Sequence, residues 1–331
     1  MKRWIVYTAG AVIAGMVLIG GYYYWSLEPK RHFEQNVTPV LVTPNSDTVP
    51  IPTLPVSTVD PSPTPSEQVD SERKNMKSFN VLILGIDARA DEDSRTDVIM
   101  VVHVVPSEKK ANIISLPRDT RVNISGVGYT KINHAHILGE AKNGNHGGTE
   151  ESLQVVSNFL DVPINYYMKT NFVGFENFID TIGGVDVLVE NDIHLRHSDK
   201  DLLHGMQHID GNIALSLVRE RWAFPEGDFG RQKEQSKILK SVAKELLAPD
   251  HFVKTVSLLP NFRKDIVDTN FTDSDLLSLI RMFQGMSEDD FQYVQIPGQS
   301  GYAMDPLVNL RLYYWFPDTD KVKSLSNQYL K

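Results

Sequence analysis

Three apolar runs with polar breaks between them set the frame of this chain. Residues 80–87 read NVLILGID, a run that ends on Gly85 and the carboxylate of Asp87. A polar loop, ARADEDSRTD at 88–97, leads to further apolar runs at 98–105 and 111–116, and the second closes on Pro117, Arg118 and Asp119. Short β-branched runs bounded by Gly, Pro and Asp predict buried strands. Acids and arginines then collect where strands end, at one rim of a sheet, which in an open α/β sheet is where ligands bind.

Downstream the period lengthens. A Gly-rich stretch at 139–148 predicts a loop leading into a helix over 149–160, which TEES at 149–152 would start. A strand is expected at 164–168, an amphipathic helix at 171–182 stopped by Gly183 and Gly184, and a short strand at 185–189. Helices are expected at 210–219 and 231–247, the latter ended by Pro249; segments at 252–259 and 273–283 and a strand at 291–296 follow. Strands alternating with helices predict a layered α/β domain.

The N-terminal pattern is different. Residues 4–27 form an uncharged apolar run long enough for one membrane-spanning helix, with YYYW at 22–25 as an interfacial belt. A cleaved signal peptide is the alternative, given small residues such as Ala14 and Gly15. Length and the bulky aromatic end favour an uncleaved anchor. Lys2 and Arg3 point to a cytoplasmic N-terminus, although Lys30 and Arg31 dilute that asymmetry. Residues 37–68 turn to Pro, Thr, Val, Ser and Asp, including PSPTP at 61–65, a composition that makes an extended solvated spacer. The chain therefore divides into a short cytoplasmic tail (1–3), an anchor (4–27), a Pro/Thr/Ser-rich linker (28–77) and a folded domain (78–331).

Composition narrows the chemistry. A formal net charge of −9 argues against nucleic acid, which needs a basic face. The absence of cysteine excludes a disulfide framework and thiolate metal sites. In an acidic chain, local arginines carry more information. Arg89, Arg95, Arg118, Arg121, Arg219, Arg221 and Arg231 cluster near predicted strand and helix ends; guanidinium forks beside a helix N-terminus suit phosphate, whereas singly each reads as a surface ion pair. Asp87 and Asp97 end one strand and begin the next, so they can share a magnesium ion or serve as turn and cap residues. His134, His136 and His146 lack any zinc-site spacing, and no Gly-x-Ser-x-Gly elbow marks a serine hydrolase.

Taken together, these residues resemble the LytR-CpsA-Psr family of cell-wall enzymes. The matching pieces are VLILGID at 81–87, RTD at 95–97, SLPRD at 115–119, KINH at 131–134, GGV at 183–185, DG at 210–211, VRER at 218–221 and GDFGR at 227–231 with Gln235. They follow the family's order across most of 79–247, and 248–297 reads as the rest of the same domain. The resemblance implies a mixed central sheet flanked by helices. It implies a magnesium-dependent phosphotransferase, which moves a glycopolymer such as wall teichoic acid or capsule from a polyprenyl-pyrophosphate carrier to the muramic-acid 6-hydroxyl of peptidoglycan through a phosphodiester. Asp87 and Asp97 would hold Mg2+, and Arg118 and Asp119 would act at the reacting centre. Arg89, Arg95, Lys131, Arg219, Arg221, Arg231 and Gln235 would join Arg118 around the pyrophosphate. Asp97 and Asp119 are both open as general base. An apolar lipid tunnel would require helices such as 171–182 to stand off the sheet, whereas periodicity alone reads them as ordinary core. The implied location is the membrane of a Gram-positive bacterium, single-pass, with the domain outside the cytoplasm and in contact with membrane lipid. One position departs from the pattern: Glu234 stands where the family usually has arginine. Two other functions fit the same residues, a polyprenyl-pyrophosphate hydrolase and a non-catalytic protein that binds or regulates wall polymer.

Overall fold

The computed structural model describes residues 21, 22, 24–35, 38–45, 78–87, 95–225, 227–247, 252–283, 286 and 290–331. The three apolar runs become neighbouring antiparallel strands, β1 (Phe79–Ile86), β2 (Thr96–Val105) and β3 (Lys110–Ser115). A hairpin of β4 (Arg121–Ile124) and β5 (Gly128–Lys131) follows, and β6 (Tyr166–Asn171) then runs parallel to β1. After β7 (Val185–Val189), a small hairpin of β8 (Ile193–Leu195) and β9 (Lys200–Leu202) precedes β10 (Gly205–Ile209), which pairs back onto β7. β11 (Asp268–Thr269) joins β6 antiparallel and β12 (Phe291–Gln295) joins β3 parallel, completing a six-stranded sheet of order β11-β6-β1-β2-β3-β12. The final ribbon pairs β13 (Gly298–Asp305) with β14 (Leu310–Pro317). The expected α/β fold with a mixed central sheet is what forms.

Eight helices occur among the described residues: α1 (Pro29–Gln35), α2 (His134–Leu160), α3 (Phe172–Ile182), α4 (Gly211–Arg219), α5 (Asp228–Leu247), α6 (Phe252–Asp265), α7 (Asp273–Phe283) and α8 (Thr319–Tyr329). Strand side chains alternate between faces, so β1 sends Phe79 and Val81 into one core and Leu82 and Leu84 into another. The first core is shared with α3 to α7 and the second with α2 and α8. Burial on both faces is why these strands are apolar throughout rather than alternating.

The Gly-rich stretch at 139–148 is not the expected loop. It lies inside α2, where Asn143 and Gly144 leave helical geometry and kink the helix. The glycines serve a close crossing of the two limbs, because a Cβ on Gly139 would stand 2.1 Å from the carbonyl oxygen of Gly147. Lys169 of β6 is fully buried beneath this kink and donates to the Asn145 carbonyl (2.7 Å) and the Thr149 hydroxyl (2.6 Å).

Part of the expected linker also differs. Residues 29–35 and 38–45 are seated on the domain: the Phe33 ring lies 4.7 Å from Phe79, His32 Nε2 meets Asp275 at 2.8 Å, and Ile164 donates its N–H to the Val42 carbonyl at 3.1 Å. The remaining linker, residues 46–77, and the anchor run up to residue 20 lie outside the described residues. Among the described residues, no helix is long and apolar enough to cross a membrane.

His103 of β2 gives the fold a measurable acid limit. It is buried with Nδ1 2.8 Å from Asn80 Oδ1, and burial pushes its pKa down to about 4. The unfolded chain takes that proton near 6.5, so protonation favours unfolding. The contribution is complete above about pH 6.5 and is lost as pH falls towards 4, on the order of 3 kcal/mol in all. Urea midpoints should fall between pH 7 and pH 4.5, and His103→Gln, which keeps an N–H donor for Asn80, should flatten that fall. Equal pH slopes in the two proteins would exclude His103 as the cause.

Candidate active site

The rim assembles where β1 ends and β2 begins. Ile86 pairs with Thr96 there, which brings Asp87 and Asp97 to adjacent strand ends. Asp87 closes the intervening loop, its Oδ1 accepting the Arg95 N–H at 2.8 Å while its own N–H donates to the Arg95 carbonyl at 3.0 Å. Asp97 instead receives the guanidinium of Arg118 on Oδ1. Arg118 follows Pro117 beyond β3, so a strand end and a rigid φ hold its backbone. Burial opposes its charge, but Asp97, Asp119 and Asp228 together hold the Arg118 pKa above the usual value.

Asp119 lies between two cations. Lys131, at the end of β5, donates to Oδ1 at 2.6 Å, and Arg118 Nε stands 3.8 Å from Oδ2. A carboxylate so engaged orients its neighbours better than it abstracts a proton. Its backbone carbonyl accepts the Trp315 N–H at 2.9 Å, which ties the rim to the β13–β14 ribbon.

The second half of the rim is built around Glu220. Its carboxylate, 1% exposed, accepts the N–H groups of Arg196 (3.0 Å), Arg221 (2.9 Å), Trp222 (2.7 Å) and Ala223 (3.3 Å). Burial would raise its pKa, yet these four donors hold it below the usual carboxylate value. The chain folds tightly around this carboxylate, and Arg219 and Arg221 on either side of it both line one cavity. Arg219 also stacks over Phe172 at 4.4 Å.

Arg231 was expected at a helix N-terminus. It sits one turn inside α5, which begins at Asp228, and pairs with that carboxylate at 2.7 Å. It is 3% exposed; burial and the neighbouring Arg118 and Arg221 charges push its pKa down, with Asp228 and Asp97 opposing. The Nε atoms of Arg118 and Arg231 are buried without a hydrogen-bond partner. Crowded guanidinium groups with unused donors are what an anion of high charge density would satisfy.

These side chains surround the mouth of a cavity of about 450 Å³. Asp97, Arg118, Arg219, Arg221, Arg231 and Gln235 contribute to its wall. Below them the lining is apolar. One face of α5 runs down it through positions 231, 235, 238, 242 and 246, a depth of about 22 Å at helical rise. The opposite wall is the sheet, including Ile83 and Met100. Phe172, Phe175 and Phe178 of α3 are half-buried and face this space. The helix over 172–182 therefore stands off the sheet, against the ordinary-core reading of its periodicity.

Not every candidate converges. Arg89 lies outside the described residues. Arg95 is exposed at the outer edge, and neither it nor Asp87 lines the cavity. Gln235 uses its amide to reach the Val218 carbonyl at 3.1 Å, fastening α5 to α4. The histidines disperse: His134 bonds Thr130 (2.6 Å), His136 stands 3.4 Å from Lys169, and His146 meets Asp268 (2.9 Å). Two participants were missed. Asp228 pairs with Arg231 at i,i+3, a spacing visible in the sequence. His197, beyond β8, reaches the cavity with no local signal at all.

Glu234, the reversed charge, does not face the cavity. It is 5% exposed and accepts from Lys237 at 2.8 Å; Lys237 and Lys233 both reach Glu190, at 3.1 and 3.0 Å. Burial opposes the Lys237 charge, but Glu234 and Glu190 hold its pKa above the usual value. Lys237→Met would strand a buried carboxylate and should destabilise the protein by about 1–3 kcal/mol. Adding Glu234→Met should restore most of that stability in thermal melts. A double variant as unstable as the single would show that Glu234 has another partner.

Comparison with known proteins gives the same family. A sequence model of the LytR_cpsA_psr family matches residues 56–331. A Bacillus cereus protein named polyisoprenyl-teichoic acid–peptidoglycan teichoic acid transferase TagU is 33% identical over 250 residues, covering 75% of this chain and 77% of that protein. The crystal structure of Bacillus subtilis TagV superposes with a TM-score of 0.65 at 29% identity, covering 77% of this chain and 97% of that one. TagT with bound octaprenyl pyrophosphate lipid superposes at 0.58 with 25% identity, covering 77% and 89%. An apolar cavity beneath an arginine rim, the ordered motifs and these likenesses converge: the chain belongs to the LytR-CpsA-Psr family.

Proposed function

We propose that this protein transfers a glycopolymer of the teichoic-acid class from a polyprenyl-pyrophosphate carrier to peptidoglycan, forming a phosphodiester bond. The observation that carries this is the pairing of one deep apolar cavity with a mouth lined by Arg118, Arg219, Arg221 and Arg231. Such a site takes an amphiphile with a long hydrocarbon tail and a multiply charged anionic head. The named relatives act between polyprenyl-linked teichoic acid and peptidoglycan, which supplies the two substrates.

In this reading the polyprenyl tail lies along α5 and the pyrophosphate sits at the arginine rim. An acceptor hydroxyl of peptidoglycan attacks the phosphorus that bears the glycopolymer, the bond to the bridging oxygen breaks, and polyprenyl phosphate leaves. Phosphoryl transfer of this kind needs positioning and charge stabilisation more than strong base catalysis. Arg118 and Arg231 supply fixed positive charge held by Asp97 and Asp228. Asp119 positions Lys131 and Arg118. Arg95 extends the basic rim outwards.

Magnesium is the cofactor the family resemblance implies. Among the described residues no group of three metal-binding side chains is arranged around one point, but magnesium commonly takes only one or two carboxylates together with substrate phosphates. Asp87 and Asp97 provide such a pair, and the Arg118 contact engages one oxygen of Asp97. Bound there, the ion would neutralise charge on the pyrophosphate. We also place the domain outside the cytoplasm, anchored through residues 4–27, because both substrates of the proposed reaction are found there.

Three outcomes test this reading. Incubation with lipid-linked glycopolymer and uncrosslinked peptidoglycan should yield polymer covalently attached to muramic acid; release of free polymer alone would identify a hydrolase. Arg118→Lys keeps the charge but loses the fork, so it and Arg118→Ala should each slow turnover by about 10²–10³-fold with little change in melting temperature. A surface ion pair would contribute only about 0–1 kcal/mol to stability and leave the rate alone. Asp97→Ala should abolish magnesium-dependent quenching of a bound donor analogue and stop turnover, whereas full activity in excess chelator would remove the metal from the scheme.

A further inference from the structure

The β13–β14 ribbon leaves the sheet beside the catalytic rim with an uncovered apolar face. Tyr302, Met304 and Tyr313 are exposed on it, and Leu307 and Val308 are exposed in its turn, between 39% and 62%. A patch of contiguous large apolar side chains on a soluble surface marks an interaction site. The register sets Tyr302 opposite Tyr313, Met304 opposite Arg311 and Ser300 opposite Trp315, so these three pairs share one face, while Leu310, opposite Asp305, lies on the other. The two tyrosine rings meet edge to face at 5.9 Å, and the Arg311 guanidinium lies 5.9 Å from the Tyr302 ring.

The face is continuous with the site. At its base, Trp315 donates its N–H to the Asp119 carbonyl, and its ring packs 4.5 Å from Phe229 in the first turn of α5. Burial first, then the Asp119 and Asp228 carboxylates, hold the Tyr313 phenol above its usual pKa. The ribbon is also stiff. Isolated two-stranded hairpins are marginal, but here Asp305, 1% exposed, accepts from Tyr314 (2.6 Å), Thr130 (2.7 Å) and the Leu307 N–H (2.9 Å), while Tyr314 is fully buried.

We propose that this ribbon face seats the acceptor, an extended glycan strand, and delivers its hydroxyl to the rim. The proposal rests on the transfer reading above. The donor's tail occupies the cavity between the sheet and α3 to α7, so the acceptor has to arrive from outside, and the ribbon, bonded to the Asp119 carbonyl through the Trp315 N–H, is an exposed surface beside that residue. Sugar rings offer apolar C–H faces edged by hydroxyls. Tyrosine pairs cover the first with little loss of side-chain entropy. An eight-residue strand extends about 26 Å, long enough for several sugars in a row. Arg311 adds a cation where peptide stems bring carboxylates.

A lipid surface is the competing occupant, and the fold argues against it. The segment that continues the apolar N-terminal run packs at the start of β1, through Phe33 on Phe79, whereas the ribbon joins the rim beyond the end of β3. The eight residues of β1 separate those ends by about 26 Å.

The test uses the full chain in detergent micelles. Tyr302→Ala/Tyr313→Ala should weaken co-sedimentation with purified peptidoglycan sacculi about tenfold, consistent with losing two aromatic contacts, while Tyr302→Phe/Tyr313→Phe stays within about twofold of the parent. In turnover assays the KM for peptidoglycan should rise similarly and the KM for lipid-linked donor should not change. Thermal melts matching the parent confirm that the alanine variant is folded. Sacculus binding needs no chemistry, so it reports on the ribbon even if the transfer reading fails in the product assay. Undiminished sacculus binding by a folded alanine variant overturns the proposal. So does a loss of binding to anionic phospholipid vesicles that exceeds the loss to sacculi.

Discussion

Arg118, partly exposed, and Arg231, buried, are cations brought together from beyond the end of a strand and the first turn of a helix, each beside a carboxylate. For Arg231 at its depth, an unpaired charge would cost several kcal/mol. Asp97 answers Arg118 across β2 and β3, Asp228 answers Arg231 along α5, and Arg231 reaches the Asp97 carbonyl at 3.4 Å. These contacts lock two strands and one helix into a single orientation. The rest of the site depends on that lock, because the direction of α5 decides whether its apolar face meets the sheet or stands away from it.

It stands away. A helix that closed onto Ile83 and Met100 would bury more apolar surface and give a tighter core, at roughly 25 cal/mol for each Å² removed from water. The cavity forgoes some of that stabilisation and leaves the space that the tail of the proposed donor would fill. The opposite face of the sheet offsets the loss with a closely packed layer of α2 and α8 against Leu82, Leu84, Ile99 and Val101. Lys169, buried with its ammonium bonded under the kink of α2, fixes that layer in place. Stability and function are thus assigned to different faces of one sheet.

The same division accounts for Glu234. On a helix whose one face lines the cavity, a residue one position away from Gln235 points towards β7 and the Glu190 carboxylate, where lysines are at hand. Position along the chain suggested a repulsive charge at the pyrophosphate. Position around the helix makes it a local ion-pair partner.

Strand runs, the acids at their ends, the arginine motifs and the α/β class were legible in the sequence because each depends on residues close together in the chain. Continuous apolar runs, β-branched composition and turn residues act locally, and the family's motifs occur in order. What the sequence left open depends on residues far apart. Whether 172–182 packs down or stands off is set by α5, more than fifty residues later; the glycines at 139–148 look like a loop unless the helix limbs they allow to cross are seen together. That Lys131 and Arg118 close on Asp119 was not visible in the sequence, and Phe33 looked like linker until Phe79 received it. Local chemistry determined which groups are present; only packing across the sheet decided which of them face the same space, because a side chain's direction is fixed by the elements packed against it.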